Sequence, residues 1–329
     1  MEHEKTEVLE KMIEQFKPEG ALLHTAENRD CLASPTGLER AMGMGTILES
    51  VVTLCDSDLR LHVELPCAQG IIEPEEAVYC REGDARKDIA IITRVGKPIA
   101  FCVRALEWQN GELIAHLSRR MAQKKCTERY LSSLKPGDLI LAKVTHLEPF
   151  GAFLDIGCGV SSLLSVDCIS VSRIAHPKDR LRCGDSLTVA VKSADAESGR
   201  IYVTLKELLG TWEENARNFK TGQTVSGIVR SVESYGVFVE LAPNLAGLAE
   251  LREGSVSELQ GMIGKRVAVY IKSIVPERMK IKLILVDSCA TDAPPQKLKY
   301  YVDPEQTKHL SRWIYSPEKG KKVVETVFD

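Results

Sequence analysis

The chain has 329 residues, of which 44% are hydrophobic and 27% charged, with a formal net charge of −3. That length and balance suit two or three soluble domains and give no global basic signature. The opening residues carry no basic-then-apolar leader and no spanning helix, and the ten cysteines form no C-x-x-C pair, so membrane, disulfide and zinc readings give way to a cytoplasmic protein with reduced thiols.

Residues 1–44 read as an N-terminal helical segment. Within it SPTGLERAM offers Ser34 as a helix cap and Pro35 as the first helical residue. From Gly45 to 118 the pattern changes to short runs rich in Val, Ile and Leu, punctuated by glycine: GTILESVV, LRLHVEL, GIIEPEE, GKPIAFCV and GELIAHL. Residues 119–136 (RRMAQKKCTERYLSSLK and one more) lose the alternation, are rich in helix formers and read as a helical linker.

The strand-like pattern returns at 137–206, where GDLILAKV is followed by HLEPFGAFLDI. Residues 207–221 (ELLGTWEENARNFK and one more) form a second helical linker, and 222–286 repeat the pattern with GQTVSGIV and SVESYGVFVEL. A shift of about 85 residues superposes Tyr235 on Phe150, Gly236 on Gly151 and Phe238 on Phe153. A shift of about 80 superposes Lys272 on Lys192 and Lys280 on Arg200. Segment 45–118 is then a weaker first copy. Residues 287–329 read as a linker, DSCATDAPPQK, and a tail. The aromatics Tyr300, Tyr301, Trp313 and Tyr315 are expected to anchor a short helix onto a domain, or else to stack on nucleic acid. The fold class is mainly β with connecting helices: three tandem small antiparallel five-stranded barrels.

Alternation assigns the faces. Ala152, Leu154 and Ile156 are apolar, as are Val237, Val239 and Leu241, so they line the core. Phe153 with Asp155, and Phe238 with Glu240, then face outward. Strict alternation would turn Phe150 inward. A bulge or tight bend at 150–152, permitted by Gly151, is expected to bring Phe150 and Phe153 onto one outer surface. The first copy has neither glycine nor ring at these places: Leu59, Leu61, Val63 and Leu65 alternate with Arg60, His62 and Glu64. Formal charge follows the same order, +2 in the third copy, 0 in the second and −5 in the first.

Exposed rings beside cations on a small barrel are the ingredients of single-stranded nucleic-acid binding, through base stacking and phosphate contacts. The cation candidates are Lys143, Arg173, Lys192 and Arg200 in the second copy, and Arg230, Lys272, Arg278 and Lys280 in the third. No phosphate-cradling loop, metal-ligand set or nucleophile motif is present, so no enzyme activity, cofactor or small-molecule substrate is expected.

The pattern G-D/Q, F/Y-G-x-F, G-L, G, R/K-I resembles the RNA-binding repeat named after bacterial small-subunit ribosomal protein S-one, closely in the second copy, well in the third and weakly in the first. HLEPFGAFLDIG, ISVSRIAHPKD and LLGTWEENA are similar to short bacterial forms of that family. The resemblance implies oligonucleotide/oligosaccharide-binding (OB) barrels and a single-stranded RNA or mRNA ligand. It carries the aromatic positions to Phe150, Phe153, Tyr235 and Phe238, and an acid–base pair to Asp195 and Arg200. In the third copy only Lys280 remains of that pair. The family's histidine is replaced by Ser165, by Glu250 and, in the first copy, by Glu73. The expectation is an RNA-binding protein of translation whose second and third copies hold RNA. The first copy and the N-terminal segment would dock to small ribosomal subunit proteins. The alternatives are a protein-interaction scaffold and an accessory RNA-processing factor.

Overall fold

The computed structural model describes residues 15–80, 87–195, 199–250, 260–292 and 298–328. The first fourteen residues of the expected helical segment and 293–297 of the expected linker lie outside them. The described chain folds as three closed five-stranded barrels. The first comprises β1 (Leu48–Cys55), β2 (Leu61–Glu64), β3 (Gln69–Ile72), β4 (Pro98–Gln109) and β5 (Glu112–Ser118). The second comprises β6 (Leu139–Glu148), β7 (Gly151–Asp155), β8 (Ser161–Ser165), β9 (Ser186–Ala194) and β10 (Ile201–Thr204). The third comprises β11 (Thr224–Glu233), β12 (Gly236–Ala242), β13 (Leu245–Glu250), β14 (Lys265–Val275) and β15 (Lys280–Asp292). In each, the third and fifth strands run parallel and close the barrel in the order 1-2-3-5-4. This is the OB arrangement, and it requires the long connection between third and fourth strands seen in every copy.

The alternating apolar residues fill the barrels. Ala152, Leu154 and Ile156 are all but fully buried, as are Val237 and Val239, with Leu241 at the rim of the third core. Helices sit where the helix-forming stretches predict. Ser34 caps Pro35–Met44 by accepting the Gly37 N–H, and a second helix spans Arg119–Arg129, capped by Ser118. Thr211 and Glu214 form a reciprocal capping box on Trp212–Ala216.

The chain divides into two compact units rather than one per barrel. The first holds the chain up to Leu134 together with 141–143 and 155–161; the second holds the rest. Within the first unit, Glu19 is the organising residue. Its carboxylate takes the Arg119 guanidinium at 2.6 and 3.1 Å, both side chains being buried. Its own N–H donates to Asp155 at 2.7 Å, and the Gly157 and Gly159 N–H groups donate to the same carboxylate at 2.8 and 2.9 Å. Asp155, expected at the surface beside Phe153, is therefore buried: strand alternation does turn it out of the barrel, but residues 15–20 cover that end.

The second unit joins two barrels and the tail. Asn244, at the β12–β13 turn, donates to the Lys206 and Gly210 carbonyls and accepts the Val171 N–H. Glu240 meets Arg180 from the 169–185 connection and Arg230 from its own barrel, and Arg230 also reaches Asp179 at 3.4 Å. The tail contains no helix among its described residues. It forms a small hairpin, β16 (Arg312–Ile314) and β17 (Glu325–Val327), whose Trp313 and Tyr315 pack into the third core. The anchoring expected of these aromatics is met by strand rather than helix.

Candidate nucleic-acid interface

In the second barrel β6 ends at Glu148 and β7 begins at Gly151, so Pro149 and Phe150 form a two-residue hairpin turn. Ser234 and Tyr235 do the same between β11 and β12. That turn resets the phase. Phe150, 56% exposed, meets half-buried Phe153 edge-to-face at a centroid distance of 6.0 Å. Tyr235, 60% exposed, meets Phe238 at 6.2 Å with the same perpendicular geometry. The rings thus share one outer surface in each barrel, at a favourable aromatic spacing.

The tight-bend alternative is the one observed, with a different use for the glycine. Gly151 has no positive φ. A Cβ there would lie 2.5 Å from the Leu164 carbonyl oxygen of β8, and one on Gly236 would lie 2.8 Å from that of Ala249. Each glycine lets the neighbouring strand close in beneath the ring pair. A bulge does occur, but on the opposing strand: Val229 pairs Val239 and Ser231 pairs Phe238, leaving Arg230 as the extra residue.

Register carries the face across the barrel. In the third copy Phe238 pairs with Leu248, which pairs with Lys282. In the second copy Leu163 pairs with Tyr202, and the 85-residue shift that superposes Phe238 on Phe153 also superposes Leu248 on Leu163. Tyr202 is 37% exposed and adds a third ring that the sequence reading left out. The signal was present: Ile201 and Val203 face the core, so the residue between them must face out. In the first copy the row is His62, Ile71 and His116.

The predicted cations divide. Arg173, Arg200, Lys272, Arg278 and Lys280 are exposed. Asp195 and Arg200 flank the last hairpin of the second barrel, joined by an N–H to carbonyl bond of 2.9 Å. Lys192 is exposed, but its ammonium donates to Cys168 Sγ at 3.1 Å; this bond holds its pKa above the ordinary lysine value. Ser165 binds the Asp167 carboxylate and lowers its pKa. Two candidates leave the face. Lys143 donates to the Glu19 carbonyl at 2.9 Å. Arg230 is held between Glu240 and Asp179 with its side chain 6% exposed, so it works as a structural joint. Glu240, expected outside beside Phe238, is fully buried in that joint.

The first barrel's equivalent face is tiled with cation–carboxylate and histidine–carboxylate contacts. Arg60 pairs with Glu73 at 3.2 Å, His62 with Asp56 at 3.2 Å, Arg104 with Glu76 at 3.0 Å and His116 with Glu107 at 3.5 Å. A shallow pocket between Glu73, Glu76, Arg104 and His116 lies over this row. No cluster able to hold a metal ion occurs among the described residues.

Three OB barrels in tandem, two of them bearing exposed ring pairs on matching hairpins, define a multi-barrel protein of the OB-fold class. Residues 133–206, the second barrel and its approach, match the S1 RNA binding domain family. The chain is 31% identical over 226 residues to the small ribosomal subunit protein bS1 of Staphylococcus aureus, covering 64% of this chain and 57% of that one. It is 31% identical over 195 residues to bS1 of Leuconostoc lactis, covering 57% and 45%. The chain therefore spans about half the length of the curated relatives it matches. A crystal structure of a multidomain protein with nucleic acid binding domains from Streptococcus pneumoniae overlaps 74% of each chain at 15% identity, with a TM-score of 0.23.

Proposed function

We propose that the chain binds single-stranded RNA, mRNA in particular, as a non-enzymatic factor of translation in the cytoplasm. The observation that carries this reading is the pair of exposed, edge-to-face ring couples placed by the same hairpin turn in two barrels. The S1-domain match falls on the barrel with three outward rings and supports it. Bases stack on Phe150, Phe153 and Tyr202 in the second barrel and on Tyr235 and Phe238 in the third. Arg173, Lys192, Arg200, Lys272, Arg278 and Lys280 hold phosphates. Asp195 and Ser165 border the second face. Stacking accepts any base, so sequence preference is weak. The first barrel, whose row is bordered by carboxylates that engage Arg60, Arg104, His62 and His116, and the N-terminal segment dock to protein. Similarity to small ribosomal subunit proteins makes that subunit the expected partner.

The test is titration of labelled single-stranded RNA against the wild type and Phe153→Ala/Phe238→Ala over a salt series. The expected result is a steep salt dependence and a loss of roughly 1–3 kcal/mol per stacked base removed. Equal affinity for both proteins with a flat salt response would overturn the reading in favour of a scaffold.

A further inference from the structure

The third barrel lacks an acidic residue at the position that Asp195 holds opposite Arg200; Val275 pairs with Lys280 there. The tail supplies something instead. Trp313 and Tyr315 fix β16 in the third core; the Tyr315 hydroxyl donates to the Asn244 carbonyl at 2.6 Å, and the Trp212 N–H donates to the Tyr315 carbonyl at 3.0 Å. The loop between β16 and β17 is then held against the β14–β15 turn, where the Lys321 N–H donates to the Glu277 carbonyl at 2.9 Å. The result is a cleft of about 380 Å³ lined by Glu277, Arg278, Met279, Lys280, Lys321 and Lys322.

Four cations meet one carboxylate there. None of the four lies within 4.0 Å of a carboxylate among the described residues, unlike the paired cations of the first barrel's face. Held together by tertiary contacts, they repel one another, and an anion between them relieves that repulsion. The cleft also continues the row already described. Lys280 lies two residues before Lys282 on the same strand face, and Lys282 aligns through Leu248 with Phe238. Lys282 in turn occupies Glu250 at 3.6 Å, which offsets the carboxylate on this path.

We propose that the C-terminal hairpin completes the third barrel's face, with Lys321 and Lys322 joining Arg278 and Lys280 to bind backbone phosphates of single-stranded RNA. This rests on the RNA-binding reading and extends it to a segment outside the barrels.

The experiment uses the full chain. Lys321→Gln/Lys322→Gln and the wild type are titrated with fluorescein-labelled oligouridylate across a salt series. Arg120→Gln/Lys124→Gln, exposed on a helix of the first unit, serves as the charge-matched control, and circular dichroism verifies the fold of each variant. The tail variant is expected to bind several-fold more weakly at low salt. Its log K against log salt should be shallower by about 1.4, two phosphate contacts at roughly 0.7 each for a single strand. The control should keep the wild-type slope. If the tail variant keeps the wild-type slope while Phe238→Ala weakens binding, the hairpin site is wrong and the RNA-binding reading stands. An equal change in the control would also overturn the site, because net charge alone would explain the effect. A wild type that does not bind the oligonucleotide overturns both.

Discussion

The first and third barrels share strand order, register and even the bulge on the first strand, yet their outer rows differ residue by residue. Where the third has Phe238, Leu248 and Lys282, the first has His62, Ile71 and His116. In the third, exposed cations gather around a cleft; in the first, Arg60, Arg104 and both histidines are each matched by a carboxylate. The barrel is set by its inward residues, and these are apolar in all copies. What it binds is set by the outward ones, which the core leaves free to change.

The sharpest break between the barrels concerns one acidic position. Glu240 is fully buried between Arg180 and Arg230, whereas Glu64 at the equivalent register is exposed. Glu240→Gln removes the carboxylate paired with buried Arg180 and leaves Arg230 with Asp179, and should cost roughly 3–5 kcal/mol. Glu64→Gln should stay within about 0.5 kcal/mol. Urea denaturation of both variants measures the difference; equal midpoints would mean that Glu240 does not join the two barrels.

The next effect belongs to the first unit. Glu49 is buried; one carboxylate oxygen accepts the Gly20 and Leu22 N–H groups at 3.0 and 2.8 Å, and burial pushes its pKa from 4.5 up to about 7. Burial and the nearby Glu19 raise Asp155 in the same direction. Folded protein then holds protons that unfolded chain has released between these values, so stability falls as pH rises from about 4.5 to 7 and levels off above. For Glu49 the change is ~3 kcal/mol at most. Melting temperatures across that range should decline for the wild type and decline less for Glu49→Gln.

On the face proposed to bind RNA, Tyr202→Ala should weaken RNA binding by roughly 1–3 kcal/mol, the worth of one stacked base. Lys282→Ala at the matching place in the third barrel should cost less, since it removes no ring and acts by releasing the Glu250 carboxylate beside the row. Parallel anisotropy titrations rank the two. The reverse order would assign the dominant role to charge rather than rings.

Much of this was legible before the fold. The repeat, the core faces and the exposed ring pairs follow from alternation and glycine spacing, because those are local. Lys143, Asp155, Arg230 and Glu240 were misplaced for one shared reason. Each stands outward on its strand, as alternation requires, but chain far off in sequence covers or engages it: residues 15–20 for Lys143 and Asp155, and the 169–185 connection for Arg230 and Glu240. Period-2 patterning says which way a side chain points and nothing about what later lies over it. Tyr202 was readable and missed; the contact between Lys321 and Glu277 was not readable at all.

The smallest expected effect is also the most direct probe of the comparison. Placing rings on the first barrel, Leu59→Phe/His62→Phe, puts one at the register position of Phe238 and a second three residues before it, the spacing of the other copies. If rings alone made the face, the variant would gain the affinity of a stacking site. It should gain no more than a few-fold. Arg60 and Arg104 remain engaged by Glu73 and Glu76, and the Asp56 carboxylate freed from His62 adds negative charge where a phosphate would pass. Adding Glu73→Ser, which installs the second barrel's residue and leaves Arg60 with Asp58 at 3.7 Å, should then raise affinity further and steepen the salt slope by no more than about 0.7, one new phosphate contact. A full gain from the rings alone would show that the ion pairs yield readily to RNA. The distinction between the barrels would then reduce to their aromatic residues.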